Sequence, residues 1–331
     1  MGSGGVVHAG AKVTGSFPRA REVEKVVRDA LKEYWDLPVD RVTRLVGGRN
    51  ALNWRIEGPR GVHVAKLIRP GDSDLDQFVA GLRIAAVIDA PDLPVPVAAP
   101  DRAGQWVREL PIGALSVLRW VPGVPLEPHR DSDVEATGSV LARLHERLEP
   151  VEAPTGVPPW PWTWLTLDEL GEELPGDAAL VASAAADAAV PHDASVGLLH
   201  GDPTASNFVT AGDVTGVLDW WSVLVGPVLY DLAVLQIDME RAGCDSTTTA
   251  TLVRAYCARR PGVADAVDRL PTLRRLRYAA EVVYFTSRLR LAGRTADELA
   301  EAENGLQRAR GDLRRCPGHR SRLDSHLRDT L

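Results

Sequence analysis

The sequence predicts an α+β chain in two lobes, a small N-terminal lobe built on an antiparallel sheet and a larger, mainly helical C-terminal lobe. Three short strand-like runs follow one another with tight turns between them, at VTRLV (42–46), ALNWRIEG (51–58) and GVHVAKLI (61–68). Past Pro122-Gly123 the apolar spacing becomes mainly helical. A compact β segment, 196–221, interrupts that helical half. At 331 residues, 45% of them hydrophobic, the chain has apolar material for a core in each lobe.

The elements follow in order. Residues 1–17 predict a disordered leader. Over 18–35, Val23, Val26, Val27, Ala30, Leu31 and Tyr34 fall at helical spacing, with Pro18 near the first turn. The three strand runs come next, joined by Gly47-Gly48 and by Gly58-Pro59-Arg60-Gly61, and read as an antiparallel meander. A helix is expected from Asp72 to Asp89, opened by an Asp/Ser cap and stopped by Leu93-Pro94-Val95-Pro96. Strand candidates at 104–109 and 114–121 complete an N-terminal lobe of residues 18–121.

The C-terminal lobe is expected over 122–308. Its first helix starts with Ser132 and Glu135 in capping-box register and places Val140, Leu141, Leu144 and Leu148 on one side. The stretch APTGVPPWPWTWL (153–165) reads as a loop docked by its aromatics. An Ala-rich helix at 179–190 and helices near 227–242, 246–259 and 270–292 follow. The Arg-rich segment 309–331 is expected to be a mobile basic tail.

Composition narrows the function classes. A net charge of -7 argues against a general nucleic-acid binder, which needs a basic face. Cys244, Cys257 and Cys316 show neither CxxC spacing nor an even count, which argues against a disulfide framework and the usual zinc patterns and fits a reducing cytoplasm. No apolar run approaches membrane-span length. Lysine is scarce, occurring at positions 12, 25, 32 and 66.

The chemistry concentrates in LLHGDPTASNFVTAGDVTGVLDWW, 198–221. Phosphoryl transfer to an alcohol needs a base within reach of the hydroxyl and hard oxygen ligands for Mg on the phosphates. Asp202, five residues before Asn207, supplies a base and an amide oxygen from one loop. Asp219 supplies a second metal ligand from the end of the next hairpin. Taken singly, Asp202 and Asn207 read as turn or cap residues. Asp219 stands inside an apolar run, where an unpartnered carboxylate is costly. The three together, with His200 and Gly201 in place, favour chemistry.

These residues resemble the aminoglycoside phosphotransferase and choline kinase superfamily, a small-molecule branch of the protein-kinase-like fold. The likeness rests on His200-Gly201-Asp202 followed by Asn207, on Leu218-Asp219-Trp220, and on Tyr230-Asp231-Leu232-Ala233. It extends to Leu141-Ala142-Arg143-Leu144-His145 and to Pro122-Gly123, covering roughly residues 18 to 290. The resemblance implies a bilobal kinase-like fold with Asp202 as general base and Asn207 and Asp219 as metal ligands. It makes His200 and Asp231 structural supports of the loop, and His145 reads as core. Lys66 would grip the nucleotide phosphates from the third strand, beneath a covering loop at Gly47, Gly48 and Asn50. Adenine would meet the hinge at Arg119, Trp120 and Val121. Two departures stand out. Pro203-Thr204 replaces the usual Leu-His after His-Gly-Asp, and the glutamate expected to pair with the lysine falls near Gly81, with Asp76 or Gln77 one turn earlier as substitutes.

The resulting expectation is an O-phosphotransferase using ATP or GTP with Mg, cytoplasmic, a monomer or homodimer, with no nucleic-acid or membrane partner. Its acceptor would be a small-molecule hydroxyl, first an antibiotic of aminoglycoside type or another sugar- or nucleoside-bearing compound. A metabolic kinase acting on choline, homoserine, a sugar or an amine is the alternative, and a non-catalytic nucleotide-binding pseudokinase is the reading from another class. Candidate acceptor residues are Trp160, Trp162, Trp164, Asp238, Glu240 and Glu281. The tryptophans would equally serve as packing groups, and the acids as solvated surface.

Overall fold

A computed structural model describes residues 18–45, 50–70, 75–165, 174, 176–189, 196–291 and 293–316. The leader, Gly47, Gly48 and Asp72 therefore lie outside the described residues. Helix α1 (Ala20–Trp35) is followed by strands β1 (Arg41–Leu45), β2 (Leu52–Gly58) and β3 (Gly61–Ile68). Then come α2 (Leu75–Ile88), β4 (Val107–Leu110) and β5 (Gly113–Arg119). The strands form one antiparallel sheet in the order β1-β2-β3-β5-β4, so the meander is as the turns require.

Strand alternation sends successive residues of β3 to opposite faces. Ala65 and Leu67 join Val23, Val27, Ala30 and Leu31 of α1 in one core. Ile68 turns the other way, into a cluster with Phe78 and Leu82 of α2 and with Trp221 of the second lobe. Lys66 shares that second face, which points its stem toward the cleft between the lobes. Its register is fixed by Asn53 of β2 on one side and Ser116 of β5 on the other.

The second lobe begins with β6 (Val124–Pro125), which pairs with β8 (Phe208–Ala211) of a hairpin completed by β9 (Val214–Val217). Strands β7 (Val196–Leu199) and β10 (Leu224–Pro227) form a second ribbon. Around these pack α3 (Asp131–Leu148), α4 (Ala178–Ala189), α5 (Leu229–Arg241), α6 (Ser246–Arg259), α7 (Leu270–Arg290) and α8 (Ala296–Arg315). One continuous core runs through them and takes in Ile84, Ala85 and Ile88 from α2. No described helix is long and apolar enough to cross a membrane.

Two expectations need correction. The capping box at Ser132 and Glu135 does not form, because the helix begins a residue earlier, at Asp131, with Arg130 as its cap residue. The basic segment from residue 309 is helical through Arg315: Ala309 and Leu313 are buried against the core, and Arg310 and Arg314 both pair with Asp177. Its arginines alternate with a buried apolar stripe, which is how a charged segment becomes a docked helix.

The lobes meet where α2 lies on residues 219–223. Gln77 Nε2 donates to the Val223 carbonyl at 2.9 Å. A Cβ built on Gly81 would stand 1.7 Å from the Trp220 carbonyl oxygen, so a glycine is what lets the backbones approach. Gly81→Ala is expected to lower stability by about 1–3 kcal/mol, since the clash is with main chain and no rotamer relieves it. Chemical denaturation measures this. An unchanged midpoint would mean that the lobes do not sit this close.

Candidate active site

The loop after β7 carries His200, Gly201 and Asp202, and a buried carboxylate holds it. Asp231, in the first turn of α5, accepts the backbone N–H of His200 at 2.8 Å and that of Gly201 at 2.9 Å. His145 Nε2 donates to the same carboxylate at 3.1 Å, while its Nδ1 accepts the Tyr256 hydroxyl at 2.7 Å. His145 and Asp231 are essentially without solvent contact. Gly201 has φ +82°, and a Cβ there would lie 1.8 Å from the Ser222 carbonyl oxygen, so only glycine fits.

His200 ties this loop to the next hairpin. Its Nε2 donates to the Leu218 carbonyl at 2.8 Å, its Nδ1 faces the Asp202 N–H at 3.4 Å, and its ring meets Trp220 edge-on at 5.0 Å. A short 3-10 turn, Ala205–Asn207, follows Pro203-Thr204. Asn207 Nδ2 donates to the Asp202 carbonyl at 2.9 Å, and the Asn207 carbonyl accepts the Leu218 N–H at 2.8 Å. Asp202, Asn207 and the approach to Asp219 are thus stitched together by backbone bonds.

Asp219 is in the left-handed region at φ 62°, unusual for a residue with a side chain. That turn brings its Oδ1 to 2.5 Å from Lys66 Nζ. The Lys66 stem is buried, and its ammonium also lies 5.3 Å from the Trp221 ring centre and 5.9 Å from that of Phe78. Lys66 therefore takes its carboxylate from Asp219 of the other lobe, with aromatic faces where a helix glutamate was sought. Burial works to raise the Asp219 carboxyl, and the adjacent ammonium more than offsets it, holding the group below its ordinary value of 3.8.

Oxygen donors for a hard cation fit this geometry. With its Nδ2 bonded to the loop, Asn207 presents Oδ1, and Asp219 keeps a second carboxylate oxygen beside the one on Lys66. Among the described residues no group of three or more His, Cys, Asp or Glu gathers for a metal. An Mg site completed by phosphate and water oxygens needs no such group.

Of the residues expected at a nucleotide, Asn50 is bonded across the lobes: its Oδ1 accepts the Tyr284 hydroxyl of α7 at 2.8 Å. At the hinge, the N–H groups of Arg119 and Trp120 already donate to the carbonyls of Val97 and Val62.

The acceptor candidates separate. Trp162 is buried in the main core, donating to the Val225 carbonyl at 2.8 Å, with Trp160, Trp164 and Tyr230 packed around it. It is a packing residue. Glu240 turns away to pair with Arg274. Asp238 accepts the Ala205 N–H at 2.8 Å, beside the loop, and burial raises its carboxyl above the usual range. Glu281 is clamped by both terminal nitrogens of Arg241, at 2.8 and 2.7 Å, and bonds Arg277 Nε at 3.1 Å. Sequence reasoning missed Arg277, whose Nη2 reaches Asp202 Oδ1 at 2.6 Å. Its spacing to Glu281 was visible as an i, i+4 helix pair, but nothing local points from there to a loop 75 residues earlier.

A model of the phosphotransferase enzyme family (APH) matches residues 41–267. The chain belongs to this family. Among its relatives, the homoserine kinase of Gluconobacter oxydans (strain 621H) is 33% identical over 213 residues, which are 60% of this chain. The match spans 64% of that kinase's length. In fold, the chain resembles an amicoumacin kinase solved with AMP-PNP, Ca2+ and Ami, at a TM-score of 0.71 and 14% identity, over 93% of this chain and 99% of the other. It also resembles a microcompartment-associated aminopropanol kinase, at a TM-score of 0.63 and 19% identity, over 88% and 95% of the two chains.

Two outcomes follow from the geometry. Asp231→Asn puts an NH2 group against a buried N–H, at a cost of about 1–3 kcal/mol for the donor left unsatisfied. Denaturation should show that loss together with lost turnover, and full stability would remove Asp231 as the loop's brace. Separately, the Lys66–Asp219 pair should contribute stability fully above 3.8 and lose it as pH falls through the depressed value. Melting temperatures of wild type and Asp219→Asn should therefore converge on acidification, whereas a gap independent of pH would contradict the pairing.

Proposed function

We propose that this phosphotransferase moves the γ-phosphoryl group of ATP to a hydroxyl of a small molecule. The observation that supports the reading is two contacts from three segments, joined through His200, which bonds the Leu218 carbonyl next to Asp219. Lys66 touches Asp219, Asn207 is bonded to the main chain of Asp202, and Asp202 opens to the cleft with about a third of its side chain exposed.

Asp202 would orient the acceptor hydroxyl and take its proton as the new O–P bond forms. The bond from the γ-phosphorus to the bridging oxygen then breaks, and ADP departs. Lys66 would steady the α- and β-phosphate oxygens with a charge that its buried stem holds in one place. Asn207 Oδ1 and Asp219 would hold Mg, which supplies charge stabilisation on the triphosphate oxygens. His200 and Asp231 would keep the loop in shape without touching the reactants. GTP in place of ATP is the same chemistry with a different purine against the hinge.

For the acceptor, the likeness in sequence to a homoserine kinase supports a small hydroxy amino acid or amino alcohol. The likeness in fold to an amicoumacin kinase keeps antibiotics as the second reading. The alternation of Asp202, Asp238 and Glu281 with Arg277 and Arg241 suits an acceptor that bears charge. A pseudokinase would not need a base, a metal pair and a phosphate lysine in one place.

Asp202→Ala should lower kcat by about 10²–10⁴ with little change in nucleotide affinity. Asp219→Ala should abolish metal-dependent turnover. ADP release measured with L-homoserine, choline, aminopropanol and an aminoglycoside separates the acceptor classes. Normal kcat in Asp202→Ala would end the base assignment.

A further inference from the structure

Asp202 does not stand alone at the mouth of the cleft. Arg277 of α7 reaches it with Nη2 at 2.6 Å, touches the Gly201 carbonyl with Nη1 at 3.4 Å, and donates from Nε to Glu281 at 3.1 Å. Three faces of one guanidinium are thus occupied by the candidate base, its loop and a neighbouring carboxylate. Glu281 is fixed in turn by Arg241, which also bonds Asp312 of α8 at 2.9 Å. The result is a line of alternating charge from the loop through α7 and α5 to α8.

An exposed ion pair would contribute little and fix nothing. This one is part-buried and doubly anchored: 18% of the Arg277 side chain is exposed and 36% of that of Asp202, while Glu281, which holds the guanidinium from behind, is 9% exposed. Burial acts to lower the Arg277 pKa, but the charges of Asp202 and Glu281 outweigh it, and the guanidinium stays ionised throughout. Among the described residues, Asp202 Oδ2 has no hydrogen-bond partner, while Oδ1 is tied. The fork therefore fixes one carboxylate oxygen and leaves the other open.

We propose that Arg277 is a positioning residue for phosphoryl transfer, holding Oδ1 of Asp202 so that Oδ2 meets the acceptor hydroxyl. The inference rests on Asp202 being the base. Phosphoryl transfer has a loose transition state, so the base acts largely by orienting the nucleophile. A displacement of about 1 Å at such a group costs on the order of 10²-fold in rate. Arginine suits the task because its planar fork engages three acceptors at set angles, which an ammonium on a flexible stem does not.

The test uses the full chain, with MgATP plus L-homoserine and with MgATP alone, where water is the acceptor. Arg277→Gln should lower kcat by about 10–10²-fold and leave KM for ATP within about twofold. Arg277→Lys should recover part of the loss. In an Asp202→Asn background, Arg277→Gln should cost less than about threefold, because the group it positions is gone. An equal loss in both backgrounds, or wild-type kcat in Arg277→Gln while Asp202→Asn is impaired, overturns the positioning role and leaves the base reading standing. Full activity in Asp202→Asn overturns the base reading itself, and absence of turnover with water, L-homoserine, choline, aminopropanol and an aminoglycoside alike overturns the kinase reading. Should Arg277→Gln fail to fold, Arg277→Lys and Glu281→Gln carry the same comparison. Glu281→Gln keeps the guanidinium but loosens its Nε anchor, and an unchanged kcat in both would count against the proposal.

Discussion

One ion pair makes the two lobes a single device. The Lys66 ammonium belongs to a strand whose other face is packed against α1, and Asp219 belongs to a hairpin of the second lobe. An isolated buried ammonium would be costly, and pairing it across the cleft makes its burial tolerable only when the lobes are docked. Asp219 meets it from a left-handed backbone, which costs about 1–3 kcal/mol for a residue with a side chain. Such a conformation persists because its surroundings over-determine it. His200 holds the Leu218 carbonyl, Trp220 Nε1 bonds back to the Val217 carbonyl at 3.0 Å, and α2 presses Gly81 onto the Trp220 carbonyl.

The loop that carries Asp202 is shaped by the opposite strategy. Its main chain is gripped by one carboxylate without solvent contact. Asp231 satisfies two backbone donors and a histidine at once, which is what makes a buried charge acceptable. The strained turn and the braced loop then share His200, so that displacing either moves the other.

The sequence made part of this legible. Asp202, Asn207 and Asp219 lie within eighteen residues, and a loop followed by a hairpin brings such neighbours together almost regardless of what surrounds them. Lys66 was readable because it stands in the third strand between apolar residues, where the resemblance places a phosphate lysine, in a chain with few lysines. The meander was readable because register follows from short turns and period two. What escaped depends on distant segments. Gly81 looked like a missing glutamate, and its meaning needed the Trp220 carbonyl beside it. The three tryptophans looked like a possible acceptor wall, but Trp162 proved to be core because Tyr230 and Val225 lie under it. The segment from residue 309 looked like a tail because its charges dominate, while the stripe formed by Leu306, Ala309 and Leu313 is narrow.

The proposed acceptor side is built differently from the proposed nucleotide side. The base, metal donors and lysine of that reading come from strands and from a braced loop. The charges beside them lie on that loop and on α5, α7 and α8, and they hold one another: Asp202 by Arg277, Glu281 by Arg241, and Arg241 by Asp312. In such a line each member has its partner only while the helices keep their mutual spacing. Helix spacing follows the side-chain volumes packed between the helices. Moving α7 would therefore alter the surroundings of the acceptor and the Asp202 carboxylate together, because Arg277 joins them, while the main chain of the loop stays held by Asp231.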